Sequence, residues 1–156
     1  MWPGPRREMH ATDENQPLRG TARGLTILLV DDDAFGLAWL RHVLGPCARE
    51  IVVAHDGRQA WSLLHEGLRP DVCVCDVHLP GMGGLQLLEQ VRADPALEDL
   101  PFLLVSGAAD GNFVREAVAS HACAYTQRPY LALQARSVLA AAVLESRRMR
   151  SEIACA

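Results

Sequence analysis

Short, mostly apolar runs recur at regular intervals along the chain. They lie at residues 26–30, 51–54, 72–75, 102–105 and 123–126. Runs of this length with so few polar positions are typical of strands that are buried on both faces of a sheet. The pattern therefore predicts five buried strands, and strands of this kind belong to parallel sheets.

Between these runs, apolar residues recur with the spacing of a helix. In the first such segment, residues 34–44, three leucines fall on one face, and Gly45-Pro46 ends the helix. Further helices are predicted over residues 57–66, 85–91, 110–120 and 131–149. Strands that alternate with helices form a parallel sheet with helices on both faces. We therefore expect an α/β domain built as a doubly wound, parallel, five-stranded sheet.

The two ends of the chain lack this pattern. Residues 1–24 contain several Pro and Gly and no apolar periodicity, so we expect a flexible N-terminal tail before a domain at residues 25–149. Residues 150–156 are expected to form a short C-terminal tail. No apolar run approaches the roughly 20 residues that span a bilayer, and the charged N-terminus does not resemble a secretory signal. These features predict a cytoplasmic protein without a membrane partner.

Charge and cysteine content narrow the classes of partner and site. The net charge is −4 at pH 7, whereas nucleic acids and anionic membranes favour basic patches, so we expect no direct DNA binding. The odd number of scattered cysteines does not indicate a disulfide framework. Cys73 and Cys75 could be two metal thiolates, but no second Cys/His pair stands at zinc spacing. We predict instead that both are small buried residues on one face of a strand.

Polar residues of complementary chemistry follow the predicted strands. In chain order they are Asp31, Asp32, Asp33, Asp76, Ser106 and Arg128. Ligands of open parallel sheets bind at the carboxyl ends of the strands, so these side chains are expected to converge. Aspartates are also common turn residues. Their coincidence with a hydroxyl and a cation at four strand ends nevertheless favours a functional site.

Converging carboxylates repel one another, by about 4 kcal/mol per pair at ~4 Å and an effective dielectric near ~20. A hard divalent cation with oxygen ligands offsets this repulsion, and Mg²⁺ prefers one or two carboxylates, waters and a phosphoryl oxygen. A carboxylate beside such an ion can act as a nucleophile toward a phosphoryl group. The hydroxyl and the cationic side chain could then hold the phosphoryl oxygens. The residue set therefore indicates phosphoryl chemistry that depends on Mg²⁺.

Six stretches carry a resemblance to a known family. They are LLVDDD at 28–33, AHDGRQA at 54–60, DVCVCD at 71–76, LPGMGG at 79–84, VSG at 105–107 and YTQRPY at 125–130. In this order and spacing the chain resembles the receiver domains of two-component response regulators, from about residue 26 to residue 149. The resemblance implies a flavodoxin-like (βα)5 fold with strand order 2-1-3-4-5.

The resemblance also implies a metal site and a phosphoacceptor. Asp31 and Asp32 match the acidic pair that binds Mg²⁺, and Asp76 matches the phosphorylated aspartate, itself a metal ligand. His78 stands where the family supplies a further metal ligand through a backbone carbonyl. Its side chain would lie at the mouth of the pocket, where it is either a solvated loop residue or an influence on the lifetime of the phosphoryl group.

Three more positions match residues that contact the phosphoryl group or respond to it. Ser106 matches the switch hydroxyl, and Tyr125 matches the aromatic switch position. Arg128 departs from the family, which normally has Lys there. Arg keeps the charge but is planar, longer and bidentate, and it can still bind a phosphoryl group.

The resemblance implies a signalling protein and not an enzyme. We expect a single-domain response regulator that accepts a phosphoryl group from a histidine kinase or histidine phosphotransfer protein and signals through contact with a downstream protein. Formation of a homodimer stays open. Phe35 and Trp39 form a second stripe on the first helix, which is either a docking surface for the partner or a face covered by the tail.

Two alternatives remain at this point. A degenerate receiver, suggested by Arg128, would act as a binding module without phosphorylation. A haloacid-dehalogenase-like phosphatase would use Asp31 and Asp33 as nucleophile and acid/base. That second class expects Thr where Phe35 stands and a late Lys that this chain lacks.

Overall fold

A computed structural model describes residues 24–107, a strand at 124–127 and single helical positions at 112, 115, 119, 141 and 144. The predicted tails at 1–24 and 150–156 lie outside the described residues, apart from Gly24. Most of the predicted helices at 110–120 and 131–149 also lie outside them. Among the residues that are described, no helix has the length and apolar character that crossing a membrane requires.

Five parallel strands form one sheet. They are β1 (Leu25–Val30), β2 (Ala48–Ala54), β3 (Val72–Asp76), β4 (Phe102–Ser106) and β5 (Ala124–Gln127). Their order in the sheet is β2-β1-β3-β4-β5, and every neighbouring pair is parallel. The predicted fold class and strand order are therefore confirmed. The strand order reverses between β1 and β3, which is where sheets of this type bind ligands.

Three helices and one short turn connect the strands up to β4. They are α1 (Ala34–Leu44), a 3-10 turn (Gly45–Cys47), α2 (Gly57–His65) and α3 (Gly84–Ala93). The side chain of Asp33 accepts hydrogen bonds at the start of α1, and that of Asp56 accepts one at the start of α2. Such caps satisfy amide groups that have no partner inside the helix. The predicted bounds of α1 agree with the structure.

The strand β2 is longer than the sequence pattern predicted. We expected it at residues 51–54, but it begins at Ala48. The additional residues include Arg49 and Glu50, which are exposed because β2 is an edge strand. Arg49 also donates a hydrogen bond to the side chain of Thr26 in β1 at 2.7 Å. Polar residues on an edge strand give no apolar signal, which explains the difference.

The core consists of two apolar layers, one on each face of the sheet. On one face, α1 packs through Leu37, Leu40, Val43 and Leu44 against alternate residues of β1, β3 and β4. On the other face, α2 and α3 pack against the intervening residues, which include Cys73 and Cys75. Both cysteines are fully buried, as predicted. Packing on both faces of the sheet fixes the positions of the carboxyl ends of the strands relative to one another.

The loop after β3 lies against the starts of two helices. A Cβ on Gly84 would overlap the carbonyl oxygen of Asp76, and a Cβ on Gly57 would overlap that of Met82. The backbone N–H of Gly84 donates to the carbonyl oxygen of Val77 at 3.0 Å. Only glycine allows backbones to approach so closely. The two glycines therefore let this loop pack directly beside the end of β3.

Candidate functional site

The pairing of β1 with β3 places two aspartates side by side. Val30 pairs with Cys75, so the residues that follow them, Asp31 and Asp76, meet at the same edge of the sheet. Asp31, Asp32 and Asp76 can each offer one carboxylate oxygen so that all of these oxygens lie within 4.8 Å of one another. The structure thus brings together the three acidic residues that the family resemblance implied as metal ligands.

The three carboxylates differ in exposure. Asp31 is fully buried, Asp76 is partly buried and Asp32 is exposed. The backbone N–H of Asp33 donates to Asp31 Oδ1 at 2.9 Å, and the N–H of Asp31 donates to the carbonyl oxygen of Ala54 at 3.2 Å. Asp31 is therefore held at the base of the cluster, which reaches solvent on the side of Asp32.

Asp33 has a different role from its two neighbours. Its Oδ2 accepts from the N–H of Gly36 at 3.0 Å, and its Oδ1 accepts from the N–H of Phe35 at 3.4 Å. The side chain thereby caps α1, a task that suits aspartate. Within residues 24–107 the acidic cluster comprises Asp31, Asp32 and Asp76 but not Asp33.

Ser106 and His78 are both neighbours of Asp76. Asp76 pairs with Val105, so Ser106 is one residue farther along the neighbouring strand. Ser106 is fully buried, and its hydroxyl donates to the carbonyl oxygen of Gly107 at 3.2 Å. The backbone N–H of His78 donates to Asp76 Oδ1 at 3.4 Å, while the His78 side chain is exposed. Ser106 thus ends the strand beside Asp76, and the backbone of His78 contacts the Asp76 carboxylate.

Two further predicted residues, Tyr125 and Arg128, belong to β5 or directly follow it in the chain. Tyr125 pairs through its backbone with Leu104, and Gln127, the last residue of β5, pairs with Ser106. The side chain of Tyr125 and all of Arg128 lie outside the described residues. Their predicted roles in the switch stay predictions.

The two buried cysteines of β3 have raised pKa values. Burial, together with the neighbouring Cys73 and the negative charge of nearby Asp76 and Asp31, raises the pKa of Cys75 well above its ordinary value. The Cys75 thiol donates to the carbonyl oxygen of Asp76 at 3.2 Å. Burial also raises the pKa of Cys73, although the positive charge of Arg92 opposes this. Both side chains pack in the core on one face of the sheet, and among the described residues neither belongs to a group of metal-ligating side chains.

The donors of the cluster fit a hard divalent cation. All of them are carboxylate oxygens, which suit Mg²⁺ and are poorly matched to metals that prefer thiolate or imidazole. The cluster also leaves one side open to solvent, through Asp32, and Mg²⁺ usually keeps several waters. Asp31, Asp32 and Asp76 are therefore the residues that could hold it.

The surface beside the site carries two exposed aromatic side chains on α1. Phe35 is 86% exposed and Trp39 is 38% exposed. They lie one helical turn apart, so they share one side of the helix. The sequence pattern left open whether this stripe is a docking surface or a face covered by the tail; the tail lies outside the described residues, so both interpretations stay predictions.

One residue that touches the acidic cluster was not among the predicted site residues. A Cβ on Gly36, in the first turn of α1, would lie 2.7 Å from Asp31 Oδ2. The signal was a glycine inside a helical pattern, where it weakens the helix and often marks a packing requirement. Spacing alone could not show that the requirement comes from Asp31.

The comparisons with known proteins all indicate the same family. A family model for the response regulator receiver domain matches residues 27–138. The chemotaxis protein CheY of Pseudomonas aeruginosa is 34% identical over 113 residues, which cover 69% of this chain and 87% of that protein. The two-component response regulator ORR21 of rice, Oryza sativa, is 34% identical over 107 residues, but the match covers 15% of its length.

A solved structure has the same architecture. The signal receiver domain of an HD domain-containing protein from Pseudomonas fluorescens Pf-5 superposes with a TM-score of 0.71 at 25% identity, covering 81% of this chain and 99% of that one. The reversal of strand order at β1 and β3, the acidic cluster at that point and the match over residues 27–138 agree. The chain belongs to the response regulator receiver domain family of two-component signalling.

Proposed function

We propose that the chain accepts a phosphoryl group on Asp76 from a phosphohistidine of a histidine kinase or histidine phosphotransfer protein. The observation that carries the proposal is the convergence of Asp31, Asp32 and Asp76, whose ligand oxygens lie within 4.8 Å. Three carboxylates so close together repel one another unless a cation joins them. A site built to hold a cation beside a partly exposed carboxylate suits phosphoryl transfer.

In the proposed reaction an oxygen of Asp76 attacks the phosphorus atom. The bond between phosphorus and the imidazole nitrogen of the donor breaks, its electron pair stays on the imidazole, and an acyl phosphate forms on Asp76. Asp31, Asp32, Asp76 and the backbone carbonyl of His78 would hold Mg²⁺. When bound, this ion supplies positive charge that offsets the charge of the carboxylates and the phosphoryl oxygens.

The other residues have supporting roles in this proposal. Asp31 is buried and fixed by the N–H of Asp33, so it keeps a constant position at the base of the site. The hydroxyl of Ser106 can turn from Gly107 to a phosphoryl oxygen, because a hydroxyl hydrogen rotates to suit its acceptor. Arg128 follows β5 directly and would contact the phosphoryl group as a bidentate donor.

Arg128 does not by itself indicate a degenerate receiver. The chain contains no lysine, and all 15 of its Lys and Arg residues are Arg. Arginine at position 128 therefore follows a preference of the whole chain. Since a guanidinium can bind phosphoryl oxygens through two parallel hydrogen bonds, Arg128 can still contact a phosphoryl group on Asp76.

The output of the proposed domain, residues 25–149, is contact with other proteins. Phosphorylation adds a charge of about −1.5 to −2 and three acceptor oxygens, which can bias a two-state loop. Phe35 and Trp39 are exposed beside the site, where a partner that delivers the phosphoryl group must approach. We propose that this stripe contacts the histidine kinase or the phosphotransfer protein.

The experiment that tests the proposal is labelling with acetyl phosphate in the presence of Mg²⁺. We expect an acid-labile and hydroxylamine-labile phosphoryl group on the wild type, which disappears with EDTA or in Asp76→Asn. The matched control is Asp33→Asn, which changes a neighbouring aspartate outside the cluster and keeps the helix cap. A hydroxylamine-stable product, or full labelling of Asp76→Ala, would overturn the proposal.

A further inference from the structure

The start of α1 lies unusually close to the base of the acidic cluster. A Cβ on Gly36 would lie 2.7 Å from Asp31 Oδ2 and 3.4 Å from Asp31 Cγ. A contact of 2.7 Å is shorter than real Cβ atoms show, so either the carboxylate or the helix would have to move. The absence of a side chain at position 36 therefore bears directly on the position of Asp31.

Asp31 has little freedom to move. It is fully buried, and its Oδ1 accepts from the N–H of Asp33 at 2.9 Å. Its own N–H donates to the carbonyl oxygen of Ala54 at 3.2 Å, which fixes the backbone at the end of β1. A methyl group pressing on Oδ2 would consequently have to turn the carboxylate against the bond that holds Oδ1.

The helix has little freedom either. The N–H of Gly36 donates to Asp33 Oδ2 at 3.0 Å, and the N–H of Leu37 donates to the carbonyl oxygen of Asp33 at 3.0 Å. One residue farther along, the Leu37 side chain is buried in the core on that face of the sheet. Lifting the first turn would break this cap and expose that leucine.

We propose that Gly36 is a positioning residue for the metal site. Its lack of a Cβ leaves room for the Asp31 carboxylate to keep the orientation in which it clusters with Asp32 and Asp76. The inference rests on the proposed Mg²⁺ site and adds to it that the affinity for Mg²⁺ depends on a residue that binds no metal. Groups that orient metal ligands typically change metal affinity by 10–100-fold when they are altered, and we expect about tenfold here.

The first test is a calorimetric Mg²⁺ titration of the full chain and two variants. Gly36→Ala should bind Mg²⁺ about tenfold more weakly than the wild type. The matched control is Gly45→Ala, at the other end of the same helix, where the backbone is helical and a Cβ would have nothing within 4 Å apart from its two neighbours in the chain. Gly45→Ala should bind Mg²⁺ as the wild type does.

The second test is a double-mutant cycle on thermal unfolding without metal. In the wild-type background Gly36→Ala should lower the unfolding temperature or prevent folding. In the Asp31→Ala background, which removes the carboxylate, the same substitution should raise that temperature by a few degrees, because alanine favours a helix over glycine. The comparison in the Asp31→Ala background remains informative even if the single variant Gly36→Ala does not fold.

The outcomes separate the inference from the proposed function. A wild type that binds no Mg²⁺ would overturn the metal site itself. A wild type that binds Mg²⁺, with Gly36→Ala binding equally well, would overturn only the role of Gly36. If Gly36→Ala lowers the unfolding temperature as much in the Asp31→Ala background as in the wild type, the obstruction does not involve Asp31. That result would also overturn the role of Gly36.

Discussion

The backbone N–H of Asp33 donates a hydrogen bond to Asp31 Oδ1 at 2.9 Å, while the side chain of Asp33 caps α1. One residue therefore connects the start of a helix with the buried carboxylate of the acidic cluster. The connection to Asp31 uses the backbone of Asp33, and the cap uses its side chain. Substitutions at position 33 can consequently separate stability from metal binding.

Asp33→Ala should lower the free energy of unfolding by about 1 kcal/mol, because the N–H groups of Phe35 and Gly36 lose their acceptor. The affinity for Mg²⁺ should change little, since the backbone N–H that holds Asp31 remains. Urea denaturation and Mg²⁺ titration measure the two effects. Asp33→Asn is the control, because asparagine caps as well as aspartate. An Asn variant as unstable as the Ala variant would contradict the assigned cap.

The control variant Asp33→Asn also tests the phosphatase alternative. A haloacid-dehalogenase-like enzyme would need the Asp33 carboxylate as its acid/base. Asp33→Asn keeps the cap but removes that carboxylate. We expect its phosphorylation on Asp76 to match that of the wild type, and a phosphatase activity lost in this variant but kept in Asp76→Asn would revive the alternative.

Strand ends were the most predictable part of this molecule. The run at 26–30 is apolar enough to indicate a buried strand, and the first residue after it, Asp31, falls where ligands of such sheets bind. The ends of β3 and β4 could be placed in the same way, with Asp76 and Ser106 as their last residues. The strand interiors pack in an apolar core and the site at their ends needs polar groups, so the sequence changes sharply from apolar to polar residues at these points.

Close approaches between segments were not predictable. Gly36 and Asp31 are only about one helical turn apart, yet their contact depends on how α1 leaves the sheet. The contact between Gly57 and Met82 joins segments that lie far apart in the chain. In the sequence each contact leaves only a glycine, and a glycine can equally mark a turn or the end of a helix. The start of β2 was missed for the related reason that its exposed edge residues carry no apolar pattern.

Mg²⁺ should stabilise the folded chain, and the acidic cluster should destabilise it when metal is absent. At a concentration of about 100 times the dissociation constant, binding adds about 2.7 kcal/mol to the free energy of unfolding. Asp76→Asn removes one of three mutually repelling carboxylates. We expect this variant to unfold at a higher temperature than the wild type in EDTA and to gain less from Mg²⁺.

Thermal unfolding with EDTA and with Mg²⁺, at constant ionic strength, tests this expectation. Glu89→Gln is the matched control, since it removes one negative charge from the exposed side of α3. It should respond to Mg²⁺ as the wild type does. An Asp76→Asn variant that is less stable than the wild type in EDTA would show that repulsion does not dominate the cluster.

Cys73 should make the stability fall at alkaline pH. Burial raises the pKa of its thiol far above the ordinary range. In the unfolded chain the thiol ionises near pH ~8.5. Above that pH the unfolded state binds fewer protons than the native state, so the free energy of unfolding decreases by about 1.4 kcal/mol per pH unit from this one group.

Urea denaturation between about pH 8.5 and pH 10, on the wild type and Cys73→Ala, measures this contribution. The alanine variant lacks the thiol and should be less stable at neutral pH, because a buried side chain is shortened. Its deficit should shrink as the pH rises, because only the wild type loses the stabilisation of a protonated thiol. Two stability curves that run parallel over this range would contradict the prediction.

The exposed stripe on α1 should matter for a protein donor and not for a small one. Phe35 is 86% exposed, so Phe35→Ala should change the free energy of unfolding by less than about 0.5 kcal/mol. Labelling by acetyl phosphate requires no docking and should be unchanged in Phe35→Ala and Trp39→Ala. Transfer from a phosphorylated histidine kinase or phosphotransfer protein should slow at least tenfold, because aromatic anchors that lose a contact typically cost about 2 kcal/mol of binding.

Leu144→Ala provides the matched control for this comparison. Leu144 is also an exposed large apolar residue, at 50%, but it belongs to a different helical segment. If the stripe of Phe35 and Trp39 is the docking surface, only substitutions in this stripe should slow transfer from the protein donor while leaving labelling by acetyl phosphate unchanged. Equal slowing in Leu144→Ala would mean that exposed apolar area in general promotes the encounter. Equal slowing with both donors would instead place the effect of Phe35 at the neighbouring acidic cluster.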